Sequence, residues 1–389
     1  IKKENSKMVY SLKEKWENVI GADKWDYFEA CLSAICTLFL KDNKNPLGLI
    51  IIGHSAGSKS TILNMFKNLP NGLTHHTDKF TPASFLTQAT NVPKDKLEEV
   101  DLIRKLPNRV LLVPDLAPMF GRKEQDVRES LSILTRVMDG DGLSNDGGVQ
   151  GHREFNEECV FVMLGAIVKI TPAIWRIVSE MGTRLLFMRM DRINIHSSQN
   201  KLLMSQLRNA DSFDLKISEI RKSVHELISD RIENIGIRKA SIKLPDETEL
   251  EIISKISELV AKLRITVDRE TGFEQNEAPV RVAKQLINIL KGRAIVYGRD
   301  KIIESDIQLA LHIALSSVNE CRGQIVKYAI EKYGEYTKLE EFVANTSYMS
   351  TKLREELNIL TQIGILVEGK EGNANRWKLD DKWEDLALI

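Results

Sequence analysis

The sequence predicts an α/β core, a parallel sheet flanked by helices, followed by an all-helical region and a small C-terminal domain of mixed helix and strand. Three observations carry this expectation. Short apolar, β-rich runs alternate with polar or amphipathic stretches over residues 46–195, the pattern of strands buried on both faces and joined by crossover helices. From 196 to 320 the apolar positions recur almost throughout at helical spacing. From 321 onward, helical stretches precede an alternating segment with a glycine-rich turn, the order of a winged helix.

Composition sets the bounds on this reading. The chain has 389 residues, 42% hydrophobic and 28% charged, enough for two or three globular domains with a sizeable core. Lys+Arg and Asp+Glu are equal at 55 each, so any contact with nucleic acid must come from local basic clusters rather than whole-molecule attraction. Cys31, Cys36, Cys159 and Cys321 are scattered without a CxxC pair. Neither a zinc site nor a disulfide framework is expected, and the thiols read as buried and reduced in a cytoplasmic protein. No apolar run reaches the roughly 20 residues a spanning helix needs, and the charged start "IKKENSKMVYSLKEKW" is unlike a signal peptide. No membrane partner is therefore expected. The first residue is Ile1, which leaves open a natural start further upstream.

In chain order, residues 1–45 form an N-terminal helical segment, with apolar positions at helical spacing in "WENVIGADKWDYFEACLSAICTLFL" and the turn "KDNKNPLG" releasing the chain into a strand. The core over 46–195 contains "LGLIIIG", "NRVLLVPDL", "CVFVMLGAIV" and "TRLLFMRM" as its strands. The helical region 196–320 includes "LPDETELEIISKISELVAKL", where a proline and acidic residues open an amphipathic helix. The C-terminal domain, 321–389, closes on the wing-like "ILVEGKEGNANRWKL".

The stretch "LIIIGHSAGSKSTIL" at 49–63 carries the chemistry. A phosphate-binding loop needs a strand, a tight turn whose backbone N–H groups surround phosphates, a Lys for the β- and γ-phosphates and a hydroxyl for Mg²⁺. Gly53, Lys59 and Ser60 stand in the register of GxxxxGK[ST], with His54, Ser55, Ala56 and Gly57 as the turn and Thr61 beginning the helix. Ser58 stands where such loops carry glycine, and the neighbouring Ala56 and Gly57 are expected to let the turn close. ATP and Mg²⁺ are the expected ligands. An acid at the end of a neighbouring strand is also required, and "RVLLVPDLAP" offers Asp115 to activate water, to hold the metal with Ser60, or both. Standing alone, such an aspartate reads first as a turn or helix cap.

The order of these motifs resembles the AAA+ ATPases, and more narrowly the minichromosome maintenance (MCM)-like helicases, including shorter bacterial relatives on mobile elements such as staphylococcal cassette chromosomes. The resemblance covers about residues 46–389 and rests on five segments in order: the loop, "LVPDLAPM", "LTRVMDGDGLSNDGGVQGHREF" with "VFVMLGAIVKI", "EMGTRLLFMRMD", and "APVRVAKQLINILKGRAIVYGRDKIIESDIQLALHIAL". It implies an AAA+ core with an α-helical lid, Arg184 as an arginine finger reaching a neighbouring subunit, and Arg281 at the sensor 2 position. It implies self-association into a ring, a hexamer being expected, and single-stranded DNA in the central pore.

Several residues depart from the family. Pro114 stands where the first acid of the Walker B pair belongs, and "LGAIVKITP" offers Ile167 and Val168 where sensor 1 carries a polar residue, with Thr171 further on. These changes bear on hydrolysis more than on nucleotide binding. The family's N-terminal oligonucleotide-binding barrel and zinc module are not found in the chain.

For DNA, the Asn-Asp-Gly-Gly turn in "GLSNDGGVQGHREF" predicts a protruding hairpin. Its candidate phosphate contacts are His152 and Arg153. In the C-terminal domain "SYMSTKLREELNIL" would be the recognition helix, presenting Ser350, Thr351, Lys352 and Arg354, with Lys370, Asn373, Asn375 and Arg376 in the wing. Glu355 and Glu356 on the same helix oppose strong base reading. The expected function is an ATP-dependent DNA helicase or translocase acting in replication or mobilisation of a genetic element. The alternative is a nucleotide-gated regulator with weak or no hydrolysis, whose winged helix binds a promoter or a protein.

Overall fold

Continuously apolar runs become the central strands. The computed structural model describes residues 2–55, 58–147, 150–182, 184–190, 210–267, 274–275, 278–372 and 374–389. Its strands begin with β1 (Leu47–Ile52), β2 (Thr74–His76), β3 (Val110–Val113), β4 (Leu143–Gly147), β5 (Gly151–Phe155), β6 (Val162–Ile167) and β7 (Leu185–Arg189). Five of these form a sheet in the order β2-β3-β6-β1-β7, with every neighbouring pair parallel. All residues of β1, β3 and β6 are buried. Such strands lack an exposed face, which explains runs without polar alternation.

β1 lies between β6 and β7, with Ile52 paired to Ile167 on one side and to Arg189 on the other. β6 in turn separates β1 from β3. The carboxyl ends of β1, β6 and β3 therefore open along one edge of the sheet, the place where loops of such sheets hold ligands. The edge strand β2 was not anticipated from the sequence. It is three residues long, polar and half-buried, too short to display a period.

The chain divides into two compact units, residues 1–177, 184–244 and 288–302 in the first, and 178–183, 245–287 and 303–389 in the second. Residues 288–296 of the helix Val280–Val296 thus cluster with the first unit and its earlier residues with the second.

In the first unit, α1 (Lys2–Val19) packs against the helix Ala210–Asn234, and α2 (Trp25–Cys36) is buried along almost its whole length. Trp16 stacks on Phe28 at 4.4 Å between ring centroids, and Phe28 on Phe66 at 5.3 Å. These contacts tie the N-terminal helices to the segment following α3 (Lys59–Asn64). Gly292 allows the closest approach to α2. A Cβ built there would lie 2.0 Å from the Ser33 carbonyl oxygen, so a side chain is excluded without moving backbone. Arg231 is fully buried, and its guanidinium donates to the carbonyl oxygens of Ile295 at 2.9 Å and Val296 at 2.8 Å.

In the second unit, the helix Glu247–Leu263 packs on the helix Ile307–Ser316, and the short strands β8 (Thr266–Val267) and β9 (Glu274–Gln275) pair antiparallel. The C-terminal part runs helix Glu320–Glu331, β10 (Thr337–Lys338), helix Leu339–Asn345, helix Ser350–Gln362, then β11 (Leu366–Glu371) and β12 (Ala374–Leu379). The sheet order is β10-β12-β11, antiparallel throughout. Arg322 locks this part together: Nε donates to Glu356 Oε2 at 2.7 Å, and Nη1 to the carbonyl oxygens of Leu263 and Ile265 at 3.0 and 2.7 Å. Burial pushes the Glu356 carboxyl up, but Arg322 and Lys352 outweigh it and hold the group below its usual range.

All four cysteines are buried and unbridged, and burial pushes the thiols of Cys36 and Cys159 up to about 12. Among the described residues no helix is long and apolar enough to cross a membrane, and no group of three or more His, Cys, Asp or Glu is placed to hold a metal ion.

Candidate nucleotide-binding site

The loop after β1 is anchored on the neighbouring strand, because Gly53 N–H donates to the Ile167 carbonyl at 3.1 Å. It ends at Ser58, whose φ of 66° and ψ of 5° are left-handed. A serine there bears strain that glycine would not, and strain held by surrounding structure concentrates at functional sites. Ser58 is the N-cap of α3 and its carbonyl accepts from Ile62 N–H at 2.9 Å. The departure from the glycine pattern has therefore not changed the conformation that a glycine would supply. Ala56 and Gly57 lie outside the described residues.

Lys59, the first residue of α3, is 8% exposed. Its ammonium donates to the carbonyl oxygens of Gly53 at 2.7 Å and His54 at 2.5 Å. Burial lowers its pKa, opposed by the negative charge of Asp115. Lys59 and Asp115 are thus brought within electrostatic reach, although the strands that precede them, β1 and β3, are not neighbours. His54, Ser55 and Ser60 are exposed and Thr61 partly so, which leaves the mouth of the loop lined by polar groups.

Asp115 is exposed just beyond β3. Its Oδ1 accepts from Ala117 N–H at 2.8 Å and starts the short helix Ala117–Phe120. The second oxygen has no partner among the described residues. The carboxylate is therefore held at the start of this helix by one oxygen.

At the end of β6, Ile167 is buried and Val168 is 46% exposed. Thr171 is occupied with the next helix, its Oγ1 accepting from Ile174 N–H at 3.4 Å. A polar group to orient water is not supplied by these three residues.

Arg184 forms a two-point pair with Asp139, Nε to Oδ1 at 3.1 Å and Nη2 to Oδ2 at 3.3 Å. Both side chains are mostly buried, 16% and 28% exposed. Within one chain the guanidinium is committed to this carboxylate. Thr183 beside it lies outside the described residues. Arg281 belongs to the second unit, where it is exposed near the start of the helix Val280–Val296.

The hairpin forms as expected, β4 against β5 with Asp146 opposite His152, but its cations are not presented as the sequence suggested. Side chains alternate in a hairpin, so Arg153 shares a face with the buried Leu143 and Phe155. It bonds Asp101 at 2.6 and 3.1 Å, with the carboxylate fully buried, and also donates to the Thr87 carbonyl. Phosphate contact by Arg153 is thus corrected to an internal pin. His152 does face solvent, yet it lies 2.8 Å from Asp146 and 3.4 Å from Glu154, hydrogen bonds that raise its pKa. Its surroundings are anionic, unsuited to a phosphate.

Lys352 is likewise held, 2.7 Å from Glu356 and 3.4 Å from Glu355. That outcome was legible, since i,i+3 and i,i+4 pairs share a helix face. Arg354 is exposed and forms no ion pair among the described residues. Asn373 lies outside them. The partners that sequence reasoning missed are Asp101 and Asp139; Glu356 was named for its charge but not as the partner of Lys352. Each is an ordinary acid in the sequence, and only Glu356, at helical spacing from Lys352, carries a local signal.

Compared with models of known protein families and with curated proteins, the sequence matches none.

Proposed function

We propose that this chain is a Mg²⁺-dependent P-loop ATPase of the AAA+ type, similar to the MCM-like helicases, that couples ATP to movement on DNA. One observation carries the nucleotide reading: Ser58 adopts the left-handed conformation of a loop glycine, directly before Lys59 at the start of α3 and beyond the carboxyl end of β1. The strand order β2-β3-β6-β1-β7, with one strand between the loop strand and the Asp115 strand, supports the AAA+ assignment. The succession of helices and strands from Glu320 onward supports a C-terminal winged helix.

In this reading the ammonium of Lys59 exchanges two loop carbonyls for phosphate oxygens. Ser60, exposed on the first turn of α3, and the second oxygen of Asp115 would hold Mg²⁺, which when bound spreads the phosphate charge. Asp115 also stands where a carboxylate can accept a proton from water. Arg184, once released from Asp139, would deliver positive charge to the site of a neighbouring subunit in a hexameric ring, and Arg281 would act from the lid.

A second reading, a nucleotide-gated regulator with little turnover, is favoured by two specific features. The hairpin's Arg153 is internal and Val168 occupies the place of a water-orienting group. Steady-state ATP hydrolysis with and without single-stranded DNA separates the two, using wild type, Lys59→Ala and Arg184→Ala. DNA-stimulated turnover lost in both variants and partly regained on mixing them supports a motor with shared sites. Nucleotide binding that needs Lys59 but leads to no turnover supports the regulator.

A further inference from the structure

We infer that Lys169 is a γ-phosphate contact, a second cation of the nucleotide site that lets it distinguish a nucleoside triphosphate from a diphosphate. The inference rests on the nucleotide part of the reading above and adds a residue that the order of motifs does not assign.

The placement follows from hydrogen bonds on both sides of β6. This strand lies between β1, which leads into the loop, and β3, which leads to Asp115. At its carboxyl end the Ile167 carbonyl accepts from Gly53 N–H at 3.1 Å, and the Ala166 carbonyl accepts from Leu116 N–H at 2.8 Å. The start of the loop and the residue after Asp115 are thus fastened to consecutive peptide groups of one strand. Gly165 makes room for the second attachment, because a Cβ built there would lie 2.5 Å from Cδ1 of Leu116. The chain that follows Ile167 therefore leaves the sheet between Gly53 and Asp115, and it continues with Val168 and Lys169. The helix Pro172–Glu180 begins soon after, with Thr171 Oγ1 accepting from Ile174 N–H. So short a connection keeps Lys169 at the carboxyl edge of the sheet.

The last phosphate of a bound nucleotide belongs in the same interval. In a phosphate loop the lysine reaches the β- and γ-phosphates, and a strand-end acid stands by the attacking water. Here the charge of Asp115 acts on Lys59, which marks the two ends of the interval, and β6 ends between the strands that carry them. Exposure by itself says little of a lysine, since most are exposed. Lys169 differs in its place, at the end of the middle strand of a parallel sheet, where such sheets hold their ligands. It is exposed and forms no ion pair or hydrogen bond among the described residues.

The two arginines that the motif order directs at the γ-phosphate are committed elsewhere within one chain. Arg184 is paired with Asp139, and Arg281 belongs to the second unit. Lys169 lies in the same unit as the loop and needs neither a neighbouring subunit nor a lid. Its chemistry also fits the departure at Val168. An ammonium has three donors and no acceptor, so it can hold phosphate oxygens but cannot accept a hydrogen from water as an amide oxygen can. A lysine here supplies charge in place of water orientation. The γ-phosphate is recognised, and activation of water is left to Asp115.

The test is calorimetric titration of the full chain with Mg·ADP and with the Mg²⁺ complex of an ATP analogue whose β–γ bridge is a non-hydrolysable imido group. Wild type is compared with Lys169→Ala, Lys169→Arg, Lys59→Ala and Lys96→Ala, the last removing an exposed lysine elsewhere in the same unit. The two Lys169 variants are first checked for an unchanged thermal midpoint. Lys169→Ala should lose about 10- to 100-fold in affinity for the triphosphate analogue, the worth of a hydrogen bond between charged groups. Its affinity for the diphosphate should change by less than about threefold, because the remaining separation is screened by salt. Lys169→Arg should keep the preference for triphosphate, and Lys96→Ala should match wild type. An unchanged ratio of the two affinities in Lys169→Ala overturns the inference, whether both affinities stay or both fall together. Lys59→Ala should weaken both nucleotides. Wild type that binds neither removes the ATPase reading and this inference with it, whereas wild type that binds both, with no share for Lys169, removes this inference alone.

Discussion

Arg184 and Asp139 face each other as a two-point pair, Nε 3.1 Å from Oδ1 and Nη2 3.3 Å from Oδ2, joining the start of β7 to the end of the segment that leads into the β4–β5 hairpin. The geometry gives Arg184 a role within its own chain before any role between chains. Removing either side chain should lower stability by about 1.5–3 kcal/mol, the usual value for hydrogen bonds to charged groups. Chemical unfolding of Arg184→Ala and Asp139→Ala measures this. If Arg184 also serves a neighbouring subunit, Asp139→Ala should keep or raise turnover while Arg184→Ala loses it; equal loss in both would leave only the structural role.

Ser58 carries a conformation that costs an L-residue about 1–2 kcal/mol, partly offset against glycine by glycine's greater freedom in the unfolded chain, about 0.5–1 kcal/mol. Ser58→Gly should therefore change stability by no more than about 1.5 kcal/mol and retain nucleotide binding. Ser58→Val should lose at least tenfold in nucleotide affinity, because a β-branched residue resists positive φ. Calorimetric titration with Mg·ATP decides it, and tight binding by Ser58→Val would remove the strained turn from the explanation.

Lys59 gives a pH signature. Its folded pKa lies below the ordinary value of 10.5 because burial disfavours the ammonium. The unfolded chain then binds the proton more tightly, so the penalty is full below the folded value and is relieved as pH rises through it toward 10.5. The unliganded wild type should gain stability relative to Lys59→Met as pH is raised from 8 to 10.5. At neutral pH Lys59→Met should unfold at a higher temperature while failing to bind nucleotide. Thermal scans across this range would show parallel curves if the ammonium were well solvated.

Arg153 pins the hairpin to Asp101, which is fully buried. Arg153→Ala leaves that carboxylate without its charge partner and should cost about 3–5 kcal/mol, read from the urea midpoint. Arg153→Lys should recover part of it. A loss below 1 kcal/mol would mean that Arg104, 3.6 Å from the same carboxylate, suffices.

Much of the fold was legible because strands buried on both faces must be apolar at every position. The runs at β1, β3, β6 and β7 declare themselves, as do the strand–turn–helix around Gly53 and the β4–β5 hairpin, although Asn145, Asp146 and Gly147, expected in its turn, are paired residues of β4. β2 was not legible, since three half-exposed polar residues form a strand only because β3 offers them a hydrogen-bonding edge. The candidate site was legible in its lysine and its acid, whose roles depend on positions along the chain. The fate of the other cations was not.

What the sequence determined alone is local: which segments are apolar enough to be central strands, where the chain turns, and which residue opens α3. Those follow from spacing, because burial and backbone geometry act on neighbours within a few residues. Tertiary structure decided which charges meet. Asp101 and Arg153 are separated by 52 residues, and Asp139 and Arg184 by 45. A guanidinium taken out of water requires a partner, and that partner is chosen by how strands from distant parts of the chain come to lie side by side.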